Sequence, residues 1–454
     1  MSTEATWLLD PRWDDVPAAT PAALARVLDL AAGGRVILLA PHPDDETLGL
    51  GGTLAELSTL GLSVTIVLLT DGGASHPRCR HIPRAELVER RAAEFAEAVA
   101  ALAPRATVVS LGLPDGGLPA ATERLRASLS TLVEPGDVLL APLPDDGHTD
   151  HDATGLVAGQ VAAQREARLL NYPIWRWLTS TPDSFPFERA VLLTPSAASL
   201  HSKEQAIRGY RSQSGPLTAF PGGEAILGSV DLAPHRRVVE TLVTPQGAPT
   251  LCLPGSDAGD EAPVSARLSA MFDGGDDPWH TRSSWYEKRK RDLCLAALAR
   301  RRYRRILDIG CSVGTLAAEL AGRADEVVAV DSTPEAIAHA RRRYASLQHV
   351  RWILADVPAD LPDDSFDLVV LSEVGYFLTG AQLLGTLRHA RRCLSPGGEI
   401  LLCDWTHPTT AIPLDGELVH RQAATALGLE PRVTVVDPDF RIDVYGGPAT
   451  LVGQ

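Results

Sequence analysis

A chain of 454 residues exceeds what one hydrophobic core usually organises, so two domains are expected. Its 45% hydrophobic and 22% charged content is that of a soluble globular protein, and no stretch approaches the roughly 18 uninterrupted apolar residues of a membrane span. A net charge of -15 disfavours nucleic acid as a partner, because neutralising phosphates needs a basic surface that this chain does not advertise.

The first residues, Met1-Ser2-Thr3-Glu4-Ala5-Thr6, show no basic region followed by an apolar core, so a cytoplasmic location is expected. From Arg35 to about Tyr172 apolar runs alternate with helical patterns. Strands are predicted at Arg35 to Ala40, Ser63 to Thr70, Ala106 to Leu111, Asp137 to Ala141 and Arg168 to Tyr172. The clearest helix runs from Arg84 to Leu102, where Leu87, Phe95, Val99 and Leu102 interleave with Glu and Arg. This alternation predicts a mainly parallel sheet with helices on both faces.

The first predicted strand is followed by Pro41-His42-Pro43-Asp44-Asp45-Glu46, and the fourth by His148-Thr149-Asp150-His151. Two clusters of His and Asp on loops leaving buried strands are the sequence form of a metal site at the carboxyl edge of an α/β sheet. His42, Asp45 and His151 could supply three ligands and leave a position for water. Asp44, the neighbour of one ligand, is then placed to act as general base. His148 lies three residues before His151 and could stabilise an oxyanion, with Asp150 expected to hold its other ring nitrogen. Asp71, after the second strand, either binds a ligand hydroxyl or caps the following turn.

With these motifs in place, residues 35 to about 215 resemble the PIG-L or LmbE-like deacetylases, metal-dependent enzymes that remove the acetyl group from N-acetylglucosamine-type substrates. Thr70-Asp71-Gly72, Arg91-x-x-Glu94, Asp115-Gly116 and Lys203 to Tyr210-x-Ser212-Gln213 extend the match. The resemblance implies His42, Asp45 and His151 as zinc ligands, Asp44 as base and His148 as oxyanion donor. Pro41 stands where the family often has Ala, and Thr149 where Pro is common; neither changes a side chain in the chemistry. Imidazole and carboxylate accept Fe(II) as well as zinc, and the sequence does not separate them.

Between Val243 and Ala266 the chain becomes rich in Pro, Gly and acids, which predicts a linker over 245–266 between a domain at 1–244 and another at 267–454. Strand signals resume at Arg305 to Ile309, Glu326 to Val330, Val350 to Ala355, Phe366 to Leu371 and Glu399 to Cys403. Pro431 to Val435 and Phe440 to Val444, joined by Asp437-Pro438-Asp439, predict an antiparallel edge. The six cysteines form no C-x-x-C pair, so neither a zinc ribbon nor a disulfide framework is expected.

Asp308-Ile309-Gly310-Cys311-Ser312-Val313-Gly314 is a strand breaking into a glycine turn before a helix predicted at Thr315 to Ala321. Gly310 allows the turn and a close approach to a ligand, and Asp331, after the next strand, is placed to bind ribose hydroxyls. The three-glycine dinucleotide spacing is missing. Asp308, Asp331 and Asp356, at the ends of successive strands, match in order the plan of a site for S-adenosylmethionine, and Glu373 follows the next strand where ligands bind in such sheets.

This pattern resembles class I methyltransferases. Asp277-Pro278-Trp279, Ser284-Trp285-Tyr286-Glu287-x-Arg289-Lys290, Gly310-Cys311-Ser312 and Leu371-Ser372-Glu373-Val374-Gly375-Tyr376 look more closely like the nodulation protein S family, over roughly Met271 to Trp405. Those N-methyltransferases act on the amine of a deacetylated chitooligosaccharide. Trp285 and Tyr286 either pack on the core or cover the cofactor, and Asp404, Trp405 and His407 are candidates for the acceptor pocket. The joint expectation is an α/β protein of two domains, a Rossmann-like deacetylase followed by a class I methyltransferase. It would deacetylate an N-acetyl amino sugar or glycoconjugate and then N-methylate the freed amine. The alternative is a deacetylase fused to an O-methyltransferase acting on a hydroxyl.

Overall fold

The computed structural model describes residues 3–30, 34–248, 251, 264–407 and 412–448. Most of the predicted linker, 249–250 and 252–263, lies outside the described residues. The chain divides into two units, one over Arg12–Gly259 and one over Met1–Pro11 with Asp260–Gln454. The short helix Thr3–Leu8 thus belongs with the second unit, where it lies against the helix Gly416–Leu427 and Arg388 donates to the Leu8 carbonyl. These residues fall within the 1–244 expected as the first domain, because so short a segment carries no sequence signal of a distant partner.

The first unit holds the strands β1 (Ala18–Ala19), β2 (Val36–Ala40), β3 (Val64–Thr70), β4 (Thr107–Leu113), β5 (Val138–Pro142), β6 (Arg168–Tyr172), β7 (Ala190–Leu193) and β8 (Glu240–Val243). They form one sheet in the order β1-β7-β8-β6-β5-β2-β3-β4, parallel except at the pairs of β8. Every residue of β2 and β5 is buried, as a central strand covered on both faces requires. The chain runs outward from β2 through β3 to β4, then returns to β5 on the other side of β2. Strand order therefore reverses between β2 and β5, and the loops leaving these two strands flank the crevice where ligands bind in open α/β sheets.

The helix after β2, Asp45–Thr59, breaks at Leu50, whose φ of -137° is not helical. The N–H groups of Gly52 and Thr53 just past the break donate to the two oxygens of Glu240, 2.9 and 2.8 Å away, and Lys203 Nζ lies 2.6 Å from Oε1. Removing one member of such a buried, bonded pair typically costs about 3–5 kcal/mol. Glu240→Ala is accordingly expected to destabilise the first unit by that amount, read as a lowered denaturant midpoint of its transition.

The second unit contains β9 (Tyr303–Ile309), β10 (Ala324–Asp331), β11 (Val350–Leu354), β12 (Phe366–Ser372), β13 (Leu394–Trp405), β14 (Pro431–Val436) and β15 (Phe440–Gly446) in the order β11-β10-β9-β12-β13-β15-β14. β15 runs antiparallel to both neighbours, which makes the predicted antiparallel edge. Here the order reverses between β9 and β12. No helix among the described residues is long and apolar enough to cross a membrane.

Candidate active sites

His42, on the loop between β2 and the following helix, and His151, in the first turn of the helix Thr149–Arg165 after β5, meet across the crevice. Asp45 opens the helix Asp45–Thr59 beside them. His42 Nδ1, Asp45 Oδ2 and His151 Nε2 form a triangle with edges of 3.2, 3.2 and 3.3 Å. Donors of a tetrahedral metal at 2.0–2.1 Å would lie about 3.3–3.4 Å apart, so the spacing suits one ion.

The outer ring nitrogens fix the tautomers that such an ion needs. His42 Nε2 is 3.3 Å from both Asp150 Oδ2 and Asp115 Oδ1, and His151 Nδ1 is 2.8 Å from Asp146 Oδ2. With those nitrogens protonated, the lone pairs of the other two converge on Asp45. Burial alone would lower both imidazole pKa values, but the surrounding carboxylates outweigh it. His42 is held well above its ordinary range and His151 is pushed up to about 9. Asp45, opposed by burial, is nevertheless held well below the usual carboxylate range by His151 and His42.

Asp44 is buried, and Arg91 Nη2 lies 3.1 Å from its Oδ2. Burial raises its pKa, with Arg91 opposing. His148 caps the helix Thr149–Arg165: its Nδ1 accepts the Asp150 N–H at 3.3 Å, which leaves the proton of the neutral ring on Nε2. Burial, with the His151 and His42 charges, lowers its pKa to about 4. The ring is wedged between His42, at 4.8 Å, and the indole of Trp175, at 5.6 Å between centroids.

In the second unit Asp308, the penultimate residue of β9, is buried, and its Oδ2 has no hydrogen-bond partner among the described residues. Burial, then the nearby Asp331 charge, pushes its pKa up to about 7. Asp331 accepts the N–H groups of Ser312 and Thr333, each at 2.8 Å. A carboxylate offers about four lone-pair sites, so it keeps acceptor capacity while its orientation is fixed.

Two families match the two halves. The GlcNAc-PI de-N-acetylase family, PIG-L, matches residues 37–162, and a methyltransferase-domain family matches residues 306–398. An uncharacterized methyltransferase of Mycobacterium bovis is 31% identical over 163 residues, 35% of this chain and 74% of the relative. The chain belongs to the methyltransferase family, and a PIG-L deacetylase domain precedes its methyltransferase domain. Nodulation protein S of Rhizobium tropici is 32% identical over 146 residues, 30% of this chain and 61% of that protein. Diacetylchitobiose deacetylase of Thermococcus kodakarensis is 34% identical over 128 residues, 27% of this chain and 47% of that protein. The chain thus spans about three-fifths of the length of the nodulation relatives it matches.

In the deacetylase domain the predicted residues His42, Asp44, Asp45, His148, Asp150 and His151 all come together, with one changed partnership. Asp150 does not hold the His148 ring. Its carboxylate faces His42 Nε2 and accepts the N–H groups of Gly116 and Leu118, while its own N–H serves His148. Asp71 is taken up by Arg84, at 2.8 Å from both oxygens, and by the Gly73 N–H, so it caps its own turn. The closing signature locks helices together: the Tyr210 hydroxyl donates to Glu46, and Ser212 donates to Glu94 through N–H and hydroxyl.

Asp115 and Arg91 stood in motifs without an assigned role, and Asp146 was missed. One signal could have found it, because Pro144-Asp145-Asp146 after β5 repeats the Pro43-Asp44-Asp45 pattern after β2.

In the methyltransferase domain Gly310 has a φ of +76°, and a Cβ there would lie 2.7 Å from Val374 Cβ. It permits close packing against the loop after β12 as well as the turn. Glu373, itself at a φ of +59°, is bound by Lys290 Nζ at 2.8 Å and by the Tyr376 hydroxyl. Asp356 is exposed. Trp285 is exposed, whereas Tyr286 packs edge-on to Phe440. Asp404 is buried 3.4 Å from His420 Nε2, Trp405 is half-buried, and His407 is exposed and bound to Asp439 at 2.7 Å.

Proposed function

We propose that the chain is a bifunctional enzyme that hydrolyses the acetamide of an N-acetyl amino sugar or glycoconjugate and then methylates the nitrogen so freed. The observation that carries the reading is the triangle of His42, Asp45 and His151, each imidazole turned by a carboxylate behind it. The names of the de-N-acetylase family and of the diacetylchitobiose deacetylase support an acetamido sugar as substrate. The likeness to nodulation protein S supports an amine as methyl acceptor.

His42, Asp45 and His151 would hold one divalent ion, zinc or iron(II), which when bound acidifies water and polarises the acetyl carbonyl. Asp44 takes the proton from the attacking water, at a position where burial raises its basicity and Arg91 holds it in place. His148 donates its Nε2 proton toward the carbonyl oxygen as negative charge develops there. As the C–N bond breaks, the proton held by Asp44 goes to the leaving nitrogen. Acetate and a free amine result.

In the second domain S-adenosylmethionine supplies the electrophilic methyl group. Asp308 would meet its ammonium group, which restores the charge that burial disfavours, and Asp331 would accept its ribose hydroxyls. Deacetylation must come first, because amide resonance ties up the nitrogen lone pair. An amine like an α-amino group, with a pKa of about 7.7–8.0, is partly neutral near pH 7 and can attack directly.

Two measurements test this reading. Acetate release from N-acetylglucosamine and diacetylchitobiose is expected to stop on treatment with a chelator and to return with zinc or iron(II). Asp331→Ala is expected to weaken binding of S-adenosylhomocysteine roughly tenfold or more in a calorimetric titration, about 1.5–3 kcal/mol for a lost charged hydrogen bond. Unchanged affinity would remove Asp331 from the cofactor site.

A further inference from the structure

Asp146 is fully buried, and its carboxylate serves two parts of the deacetylase site. Oδ2 faces His151 Nδ1 at 2.8 Å. The same carboxylate accepts the backbone N–H groups of Ile174, Trp175 and Arg176 at 3.0, 3.0 and 3.1 Å, where the chain leaving β6 enters the helix Arg176–Thr179. These contacts fix the Trp175 backbone, and its indole lies on the His148 ring with centroids 5.6 Å apart and planes 26° from parallel.

The two segments are pressed together at other points as well. Arg176 Nη1 donates to the carbonyl of Asp145 at 2.8 Å and meets its carboxylate at 3.0 Å. Gly147, at a φ of +95°, lies so close to Thr179 that a Cβ would stand 2.4 Å from the hydroxyl oxygen.

We propose that Asp146 is a positioning residue for both imidazoles of this site, acting on His151 directly and on His148 through Trp175. The inference rests on the roles given above to His151 as ligand and His148 as donor. An imidazole on a flexible side chain can present either nitrogen, and a carboxylate bound to Nδ1–H selects the tautomer whose Nε2 lone pair points inward. Among the described residues, His148 has a single hydrogen bond to its ring, from the Asp150 N–H. Its plane is therefore set by the ring contacts with His42, His151 and Trp175, of which Asp146 anchors the last two. One buried carboxylate thus ties the metal ligand from one segment to the proton donor's support from another.

The test uses the full-length protein and three variants, Asp146→Asn, Trp175→Ala and Trp175→Phe, with zinc affinity measured by chelator competition. Turnover is followed on whichever acetamido sugar the wild type hydrolyses. Asp146→Asn is expected to weaken zinc binding roughly 10–100-fold, the usual effect of losing such a partner, and to stay slow at saturating zinc. Trp175→Ala is expected to keep zinc affinity, lower kcat about tenfold or more with little change in KM, and recover most of the loss as Trp175→Phe.

Unchanged zinc affinity in folded Asp146→Asn, or a Trp175→Ala variant with wild-type kcat, overturns the inference. Should Asp146→Asn fail to fold, the Trp175 pair decides on its own. A wild type that binds no zinc or iron(II) overturns the functional reading itself, a result distinct from these.

Discussion

Replacing His151 by Ala should leave the protein without its metal and without deacetylase activity, while methylation of a supplied amino sugar continues. The triangle would retain only His42 Nδ1 and Asp45 Oδ2, and a catalytic site of this kind needs three protein ligands. The ring lost is fully buried, and Asp146 loses one of its partners while keeping three backbone N–H groups. The fold of the unit is therefore expected to survive. The second unit has its own sheet and core, so its cofactor binding is expected to be unaffected. Metal analysis of the purified variant checks the assignment directly, and a normal metal content would refute it.

Asp44→Asn should behave in the opposite way, keeping the metal and losing turnover. Its carboxylate is not one of the three converging donors, and Arg91 at 3.1 Å holds it beside them. The amide keeps the shape of the group but cannot take a proton from water. Loss of a general base costs typically about 10² to 10⁴ in rate, so kcat should fall by that factor with zinc affinity nearly unchanged. If turnover stayed close to wild type with metal bound, the base would have to be another residue.

The sequence made the elements with a strong period legible. The helix Arg84–Leu102 has the predicted bounds, and the four apolar positions that marked it, Leu87, Phe95, Val99 and Leu102, are buried. The antiparallel pair at the end of the chain was marked by its Asp437-Pro438-Asp439 turn. β1, β7 and β8 went unseen because strands of two to four residues leave no period to read.

At the deacetylase site the residues proposed as ligands could be picked out since they follow continuous apolar runs, and the reversal of strand order between β2 and β5 brings those two loops together. The partners behind them were not. Asp146 acts on Ile174 to Arg176 across a whole helix and strand, a pairing that local spacing cannot encode. The exchange of partners by Asp150 has a similar cause: the N-cap geometry of His148 spends the Asp150 N–H on that ring and sends the carboxylate toward His42. In the methyltransferase domain the order of strand-end acids was readable, whereas the engagement of Glu373 by Lys290 depends on the helix Trp285–Ala297 lying over it.

The central claim is the order of the two reactions on one nitrogen. Mass spectrometry of the wild-type protein incubated with an N-acetyl amino sugar and S-adenosylmethionine tests it most directly. The account predicts a product that has lost its acetyl group and gained methyl on the nitrogen, with no methylated species retaining the acetyl and with none formed by the His151→Ala variant unless the free amino sugar is supplied. A methylated product that still carries its acetyl group, formed at an undiminished rate by that variant, would contradict it and point to a hydroxyl as the acceptor.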